Sequence, residues 1–322
     1  MQYDGEALME KDLTRITDLQ REDIETILSR AASFKRKHDE GVRRENMLDG
    51  RVVAMIFEKP SLRTKVAFEV ATTCLGGTPV FLSSSQILAS GSNEHGRESI
   101  PDIARNLERF ADLIVARVYH HAVIREISES ISRPVINALC DRHHPTQALA
   151  DLMAIRTHAR AVGSSPLTVA FIGDGNNVST SLMQACLMTG VNFSIATPPG
   201  YEIPPEEQAV GLALAAASGA TFRGFHEPAK AVAGANVVYT DTFVSMGQEE
   251  ERARRDAAFR GFQVNEALMA RAAPEALFMH CLPAHRGEEV TDAVMDSPHS
   301  IVFEQAECRL HVAKALLALY LA

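Results

Sequence analysis

The sequence predicts an α/β protein of two domains, each a parallel sheet flanked by helices, joined by interdomain helices. Three observations predict it. Short apolar, β-rich runs alternate with longer segments of helical period, the pattern of parallel strands crossed over by helices. That alternation runs twice, and one long helical segment, from His144 to the turn residues Gly163-Ser-Ser-Pro166, separates the passes. The length of 322 residues suits two domains at roughly 100 to 200 residues each.

In the first pass Val52 to Phe57, Leu113 to Ala116 and Pro134 to Ile136 read as strands, with a weaker one from Pro79 to Leu82. Lys65 to Cys74, Ile103 to Phe110 and Ala122 to Ser132 carry helical spacing between them. In the linking segment Ala148, Leu149, Leu152, Met153 and Ile155 keep that spacing. The second pass has strands at Leu167 to Ile172, Asn192 to Ala196, Thr221 to Phe225, Val237 to Tyr239, Leu277 to His280 and Ile301 to Phe303, and a terminal helix from Ala306 to Ala322. Ser83 to Arg97 is the one long polar stretch without period, a kind of loop that is often functional.

Composition narrows the function classes. The apolar fraction of 46% and charged fraction of 23% are those of a folded globular chain. A formal charge of −9 repels a phosphate backbone, and the basic stretches Lys35-Arg36-Lys37-His38 and Arg43-Arg44 sit among Asp39, Glu40 and Glu45 as a solvated helix face and its exit; nucleic acid is therefore not expected as a partner. Cys74, Cys140, Cys186, Cys281 and Cys308 are odd in number and scattered, which fits reduced thiols in a cytoplasmic protein. No basic leader followed by an apolar stretch opens the chain and no run is long enough to span a bilayer, so neither secretion nor a membrane is expected.

Five polar clusters sit at strand ends or helix starts. Glu58-Lys-Pro-Ser61-Leu62-Arg63-Thr64 follows a strand and opens a helix, where free backbone N–H groups, two hydroxyls and a guanidinium can cradle an anion; a capped helix with a surface arginine is the plainer alternative. Gly173-Asp-Gly175-Asn-Asn177 has the strand-to-glycine turn of a dinucleotide site, but Val178 stands where its third glycine belongs and no acidic residue follows for a ribose. Asp241 and Ser245 lie on a loop after a strand, where Asp241 could hold an ammonium group or simply shape a turn. His280-Cys281-Leu282-Pro283 brings a thiol to the same edge as nucleophile, metal ligand or polar contact; zinc is disfavoured because the neighbouring His285 lacks CxxC or HxxxH partners. His144-Pro-Thr-Gln147 opens the linking helix with an imidazole and an amide.

In this order the clusters resemble the aspartate/ornithine carbamoyltransferase family over nearly the whole chain, and Asp241-x-x-x-Ser245-Met246-Gly with His280-Cys281-Leu282-Pro is similar to its ornithine branch. The resemblance implies a carbamoyl-phosphate-binding domain at 1–148, with the C-terminal helix 307–322 packing back on it, and an ornithine-binding domain at 149–306. It implies transfer of a carbamoyl group from carbamoyl phosphate to L-ornithine, giving citrulline and phosphate within arginine metabolism, by direct attack in a closing cleft. The resemblance implies no metal or organic cofactor, and it implies an assembly that is a homotrimer or a multiple of trimers. Carbamoyl phosphate would meet Ser61, Leu62, Arg63, Thr64, Gln86, Arg117, His144, Gln147, Cys281, Leu282 and Arg309. Ornithine would meet Asn177, Asp241, Ser245 and Met246, and Arg63, Arg117, His144 and Cys281 would be catalytic. Leu62 and Cys308 replace a hydroxyl residue and an asparagine usual in the family, and twelve positions separate Gln86 from Glu98; relatives that carbamoylate putrescine or an N-acylated ornithine are the alternative.

Overall fold

The computed structural model describes residues 12–83, 98–162, 166–245 and 249–322. Gln86, Met246 and most of the polar stretch after Ser83 lie outside the described residues. Two compact units are present, one comprising the chain up to Ala150 together with Cys308–Ala322, the other Asp151–Glu307.

In the first unit, α1 (Arg21–Asp39) precedes β1 (Val52–Phe57), α2 (Leu62–Cys74), β2 (Thr78–Ser83), α3 (Ile100–Leu107), β3 (Leu113–Arg117), α4 (His121–Ser130) and β4 (Val135–Leu139). The strands form an all-parallel sheet of order β2-β1-β3-β4. The run Val-Val-Ala-Met-Ile-Phe of β1 and the run Leu-Ile-Val-Ala-Arg of β3 are buried along almost their whole length, as central strands covered on both faces must be. Ile56, Ile114, Ala116, Ile124 and Ile127 pack into one cluster between sheet and helices.

Helix α5 (Pro145–Val162) leads into β5 (Thr168–Ile172), α6 (Asn177–Met188), β6 (Asn192–Ala196), α7 (Pro205–Ser218), β7 (Phe222–Phe225), α8 (Pro228–Val232) and β8 (Val237–Thr240). After these come α9 (Arg252–Ala258), α10 (Glu266–Met269), β9 (Leu277–His280), α11 (Asp292–Met295) and α12 (Val302–Leu321). The second sheet is parallel with order β7-β6-β5-β8-β9. Its core is built on Ile172, Val238, Phe243, Phe259, Phe278 and Val302. Gly219 ends α7 at φ 77°, a left-handed conformation that glycine adopts without a Cβ penalty.

One expected strand is absent. The Ile301-Val-Phe303 run is not a strand, because only Ser300 bridges Phe278 and the carbonyl of Ile301 already accepts the Gln305 N–H, so helix α12 begins at Val302. The β-branched pair Ile301-Val302 is buried by helix packing instead of by a ladder. The weaker run near Pro79 is a full edge strand, β2, and it reads weakly because its residues are largely exposed.

Both chain paths reverse direction within their sheets, between β1 and β3 in the first and between β5 and β8 in the second. Open parallel sheets bind ligands at the carboxyl ends of strands flanking such a reversal. Arg117 ends β3, and the segments after β1, β5 and β8 carry Ser61–Thr64, Asn177 and Asp241, all sequence-predicted site residues. No helix among the described residues is long and apolar enough to cross a membrane.

Candidate active site

The first group of side chains belongs to the first unit. Ser61 is the N-cap of α2 with extended backbone (φ −155°, ψ 110°), and its side chain makes no capping bond to the helix. The first-turn N–H groups of α2 therefore present partial positive charge at the end of β1. The Leu62 side chain is 73% exposed, so only its backbone can serve an anion there. Thr64 is buried, and Arg309 of α12 donates from Nη2 to Thr64 Oγ1 and from Nη1 to Gln147 Oε1. One guanidinium thus ties together the first turns of α2 and α5, whose sequence positions are 83 residues apart.

His144 stands immediately before α5 and is almost fully buried. Burial, followed by the guanidiniums of Arg309, Arg117 and Arg63, holds its imidazole well below the usual histidine range. It is therefore neutral at pH 7 and able to donate one ring N–H. Thr146 Oγ1 lies 3.5 Å from His144 Nδ1. Lys59 is likewise lowered, first by burial and then by Arg117. Three guanidiniums around one uncharged imidazole form a site that favours a compact anion and has a neutral donor at its centre.

His143, next in the chain, is a structural counterpart. Its ring stacks edge-on to His121 at 5.0 Å, and burial, with His121 and Arg142 adding to it, pushes its pKa down to about 3. The unfolded chain, with an ordinary histidine near 6.5, takes up a proton that the folded chain refuses. The contribution of neutral His143 is thus complete above pH 6.5 and is lost as pH falls towards 3, at about 1.4 kcal/mol per pH unit. Urea titrations at pH 7 and pH 5 should show this acid loss, and it should shrink in His143→Phe; an unchanged difference would reject the assignment.

The second group belongs to the second unit. Asp241 follows β8, and its carboxylate accepts from Asn176 Nδ2 at 2.9 Å, from the Thr242 N–H at 2.8 Å and from Cys281 Sγ at 3.0 Å. The thiol is the donor in the last contact, and ionising it would put two anions 3.0 Å apart. Asn176 also caps α6 by accepting from the Val178 and Ser179 N–H groups, which sets Asn177 at the first turn. Ser245 ends the described part of the loop and is half-buried.

Behind Cys281, the Leu282 N–H donates to His280 Nδ1 at 2.8 Å, so the ring proton is on Nε2, which donates to Glu289 Oε1 at 3.2 Å. Both histidine and glutamate are fully buried. Asp241, His280 and Cys281 bring possible ligand atoms within 4.8 Å of one another, as do His285, Glu288 and Glu289. In the first set both ring nitrogens of His280 are already used by the protein.

The glycine turn after β5 has a packing role. A Cβ on Gly175 would lie 2.2 Å from the Ile203 backbone nitrogen, and the Gly175 N–H donates to the Tyr201 carbonyl at 2.8 Å. Between its glycines, Asp174 receives Arg255 Nη1 at 2.8 Å, and the same nitrogen donates to the Phe243 carbonyl at 3.1 Å. Asn176 and Arg255 are thus structural partners of the Asp241 loop that sequence reasoning missed. An Asx cap was a readable signal for Asn176; Arg255, 81 positions from Asp174, offered none.

Against this geometry, two family models match the chain. One, the carbamoyl-P binding domain of aspartate/ornithine carbamoyltransferase, covers residues 11–157, and the other, the Asp/Orn binding domain, covers residues 165–320. The chain belongs to the aspartate/ornithine carbamoyltransferase family.

Members of this family with high similarity include the anabolic ornithine carbamoyltransferase of Pyrococcus furiosus, 47% identical over 316 residues that span 97% of each chain. The ornithine carbamoyltransferase of Bacillus subtilis is 43% identical, covering 97% of this chain and 94% of its own. The solved Pyrococcus furiosus ornithine carbamoyltransferase superposes with a TM-score of 0.92 at 45% identity, covering 98% of both chains. A solved N-acetyl-L-ornithine transcarbamylase mutant superposes at 0.84, with 29% identity, covering 97% of this carbamoyltransferase chain and 100% of its own.

Proposed function

We propose that the chain transfers the carbamoyl group of carbamoyl phosphate to the δ-amine of L-ornithine, giving L-citrulline and phosphate. The observation that carries the reading is the neutral, buried His144 set among Arg63, Arg117 and Arg309. A labile phosphoanhydride-like substrate needs its leaving phosphate neutralised and its carbonyl oxygen met by uncharged donors, and this group supplies both. The ornithine carbamoyltransferases at 43% to 47% identity favour ornithine over an N-acylated amine.

In this reading the uncharged δ-amine attacks the carbamoyl carbon, and the oxygen of the tetrahedral species becomes anionic. His144 donates to it, and so does Thr64, whose oxygen accepts from Arg309 and whose hydrogen can therefore point at the substrate. Gln147, fixed by Arg309, orients the carbamoyl nitrogen. Arg63, Arg117, Arg309 and the N-terminus of α2, with Ser61 and the Leu62 backbone, take the phosphate as the C–O bond breaks, and the proton lost by the amine leaves with it. Asp241 and Ser245, with Met246, hold the α-amino group, Asn177 the α-carboxylate side, and Cys281 and Leu282 lie near the reacting amine; Gln86 completes the phosphate side.

The division of labour proposed is a carbamoyl-phosphate domain of residues 1–148 plus helix 307–322, and an ornithine domain of residues 149–306. We further propose a cytoplasmic homotrimer, or a multiple of trimers, for which sedimentation equilibrium should return three chain masses or a multiple; a monomer at working concentration would reject this. A ureido-product assay with ornithine, putrescine, lysine, aspartate and N-acetylornithine tests the substrate, with ornithine expected to give the highest kcat/KM. Preference for putrescine or N-acetylornithine would overturn it.

Transfer is direct in this proposal, because two substrates held together need no covalent relay. The protonated thiol facing Asp241 at 3.0 Å fits a contact role. Cys281→Ser should keep measurable activity and sequential kinetics; ping-pong kinetics or a trapped carbamoyl-cysteine would refute direct transfer.

A further inference from the structure

Strand β9 ends one edge of the second sheet, so its outward N–H groups face no neighbouring strand. The N–H of Phe278 goes to the His299 carbonyl, and that of His280 is accepted by a side chain, Gln305 Oε1 of helix α12, at 3.0 Å. The other end of that amide is equally fixed. Gln305 Nε2 donates to Asp151 Oδ1 at 2.7 Å and to Tyr239 Oη at 3.0 Å, while the Tyr239 hydroxyl donates to Asp151 Oδ2 at 3.1 Å. These three bonds close a ring, and Asp151, Tyr239, Gln305 and His280 are all fully buried. The directions are forced, because a backbone N–H only donates and a carboxylate only accepts. Burial, and after it Asp151, holds the Tyr239 phenol well above the usual tyrosine range, so its proton stays in place.

The proposed reaction gives Asp151, Tyr239, Gln305 and His280 no contact with substrate, yet the ring grips both strand ends that carry such contacts. Tyr239 stands two residues before Asp241 at the end of β8, and His280 immediately precedes Cys281 at the end of β9, with Thr240 opposite His280 in the paired strands. We propose that Gln305, completed by Asp151 and Tyr239, is a positioning residue that sets the depth and separation of Asp241 and Cys281 for the amino-acid substrate. This role rests on the reading that those two residues meet ornithine.

Stability alone does not call for such a ring, since buried hydrogen-bonding partners replaced together by apolar groups of the same shape can leave stability nearly unchanged. A fully satisfied polar ring does hold one geometry, because sliding either strand end breaks a buried hydrogen bond. The effect falls on the contact from Cys281 Sγ to Asp241 at 3.0 Å. A displacement of about 1 Å around a reacting group can cost roughly 100-fold in rate.

The test compares the full-length protein with Gln305→Met, which removes both ends of the amide at similar volume, and with Tyr239→Phe, which removes the hydroxyl and keeps the ring stacked on Phe171. Alkylation of each cysteine by iodoacetamide, without substrate, is followed by site-resolved mass spectrometry. Released from Asp241, the half-buried Cys281 thiol ionises more readily and should react about 10-fold faster or more in Gln305→Met, one pKa unit being tenfold in thiolate. The buried Cys140, Cys186 and Cys308 should stay as slow as in the parent. In steady-state kinetics the ornithine KM of Gln305→Met should rise about 10- to 100-fold. The carbamoyl phosphate KM, which reports on α12 through Arg309 one turn further along, should stay near the parent value. Tyr239→Phe should move Cys281 reactivity and ornithine KM the same way by about 3- to 10-fold, the loss of one buried hydrogen bond, and it carries both measurements if Gln305→Met does not fold. An unchanged Cys281 rate in the folded variants, alkylation spreading to the three buried thiols, or equal rises in both KM values would overturn the positioning role. Selective alkylation of Cys281 with an unmoved ornithine KM would uphold the grip on the strand ends and reject Asp241 and Cys281 as ornithine contacts.

Discussion

Arg309→Ala is expected to lower kcat/KM for carbamoyl phosphate by about 100- to 1,000-fold. Removing one donor that meets charge developing in the transition state costs about 2.7 to 4 kcal/mol, and in the proposed site Arg309 is such a donor with two further duties. It fixes Thr64 and Gln147 by the two arms of its guanidinium, so alanine also frees the side chains assigned to the carbamoyl oxygen and nitrogen. Arg309→Lys restores a charge but not a planar fork able to bridge both partners, and should recover only part of the loss. The measurement is steady-state kinetics at saturating ornithine, with circular dichroism to establish folding. Near-normal kinetics in a folded Arg309→Ala protein would remove this residue, and with it the proposed phosphate side.

Asp241→Asn acts on the other substrate. An ammonium–carboxylate hydrogen bond is typically worth about 1.5 to 3 kcal/mol, so the ornithine KM should rise about 10- to 100-fold while the carbamoyl phosphate KM changes little. The change has a second cost inside the protein. Asn176 Nδ2, the Thr242 N–H and the Cys281 thiol all donate to Asp241, and an amide NH₂ in place of one oxygen sets donor against donor. The loop should loosen as well as lose its charge. Equal damage to both substrates' KM values would show that Asp241 only shapes the fold, and an unaffected ornithine KM would end its assignment as the ammonium contact.

Much of this was legible before any coordinates. The short apolar, β-rich runs of β1, β6 and β9 place their strands within the bounds observed, because a strand buried on both faces of a parallel sheet is mostly apolar along its length. The carboxyl ends of such strands are where polar residues can serve ligands, so Ser61–Thr64, Arg117, Asn177, Asp241 and Cys281 stood out by position as well as by type. Where local signal was ambiguous the reading failed, as at Ile301-Val302, where two β-branched residues suit a strand in isolation but helix α12 begins at Val302.

The sequence by itself determined the α/β class, the two parallel sheets, the order of the polar clusters and the resemblance that places the chain in its family, since each is written in local periodicity or contiguous motifs. Only the tertiary structure decided that Arg309 clasps Thr64 and Gln147, that burial and then three arginines keep His144 neutral, that Arg255 reaches Asp174 and Phe243, and that Glu289 keeps one oxygen on His280 and turns the other towards His285. These contacts join residues between 4 and 245 positions apart. Their strength comes from burial and mutual orientation, which depend on how whole elements pack and leave no trace in the spacing of residues along the chain.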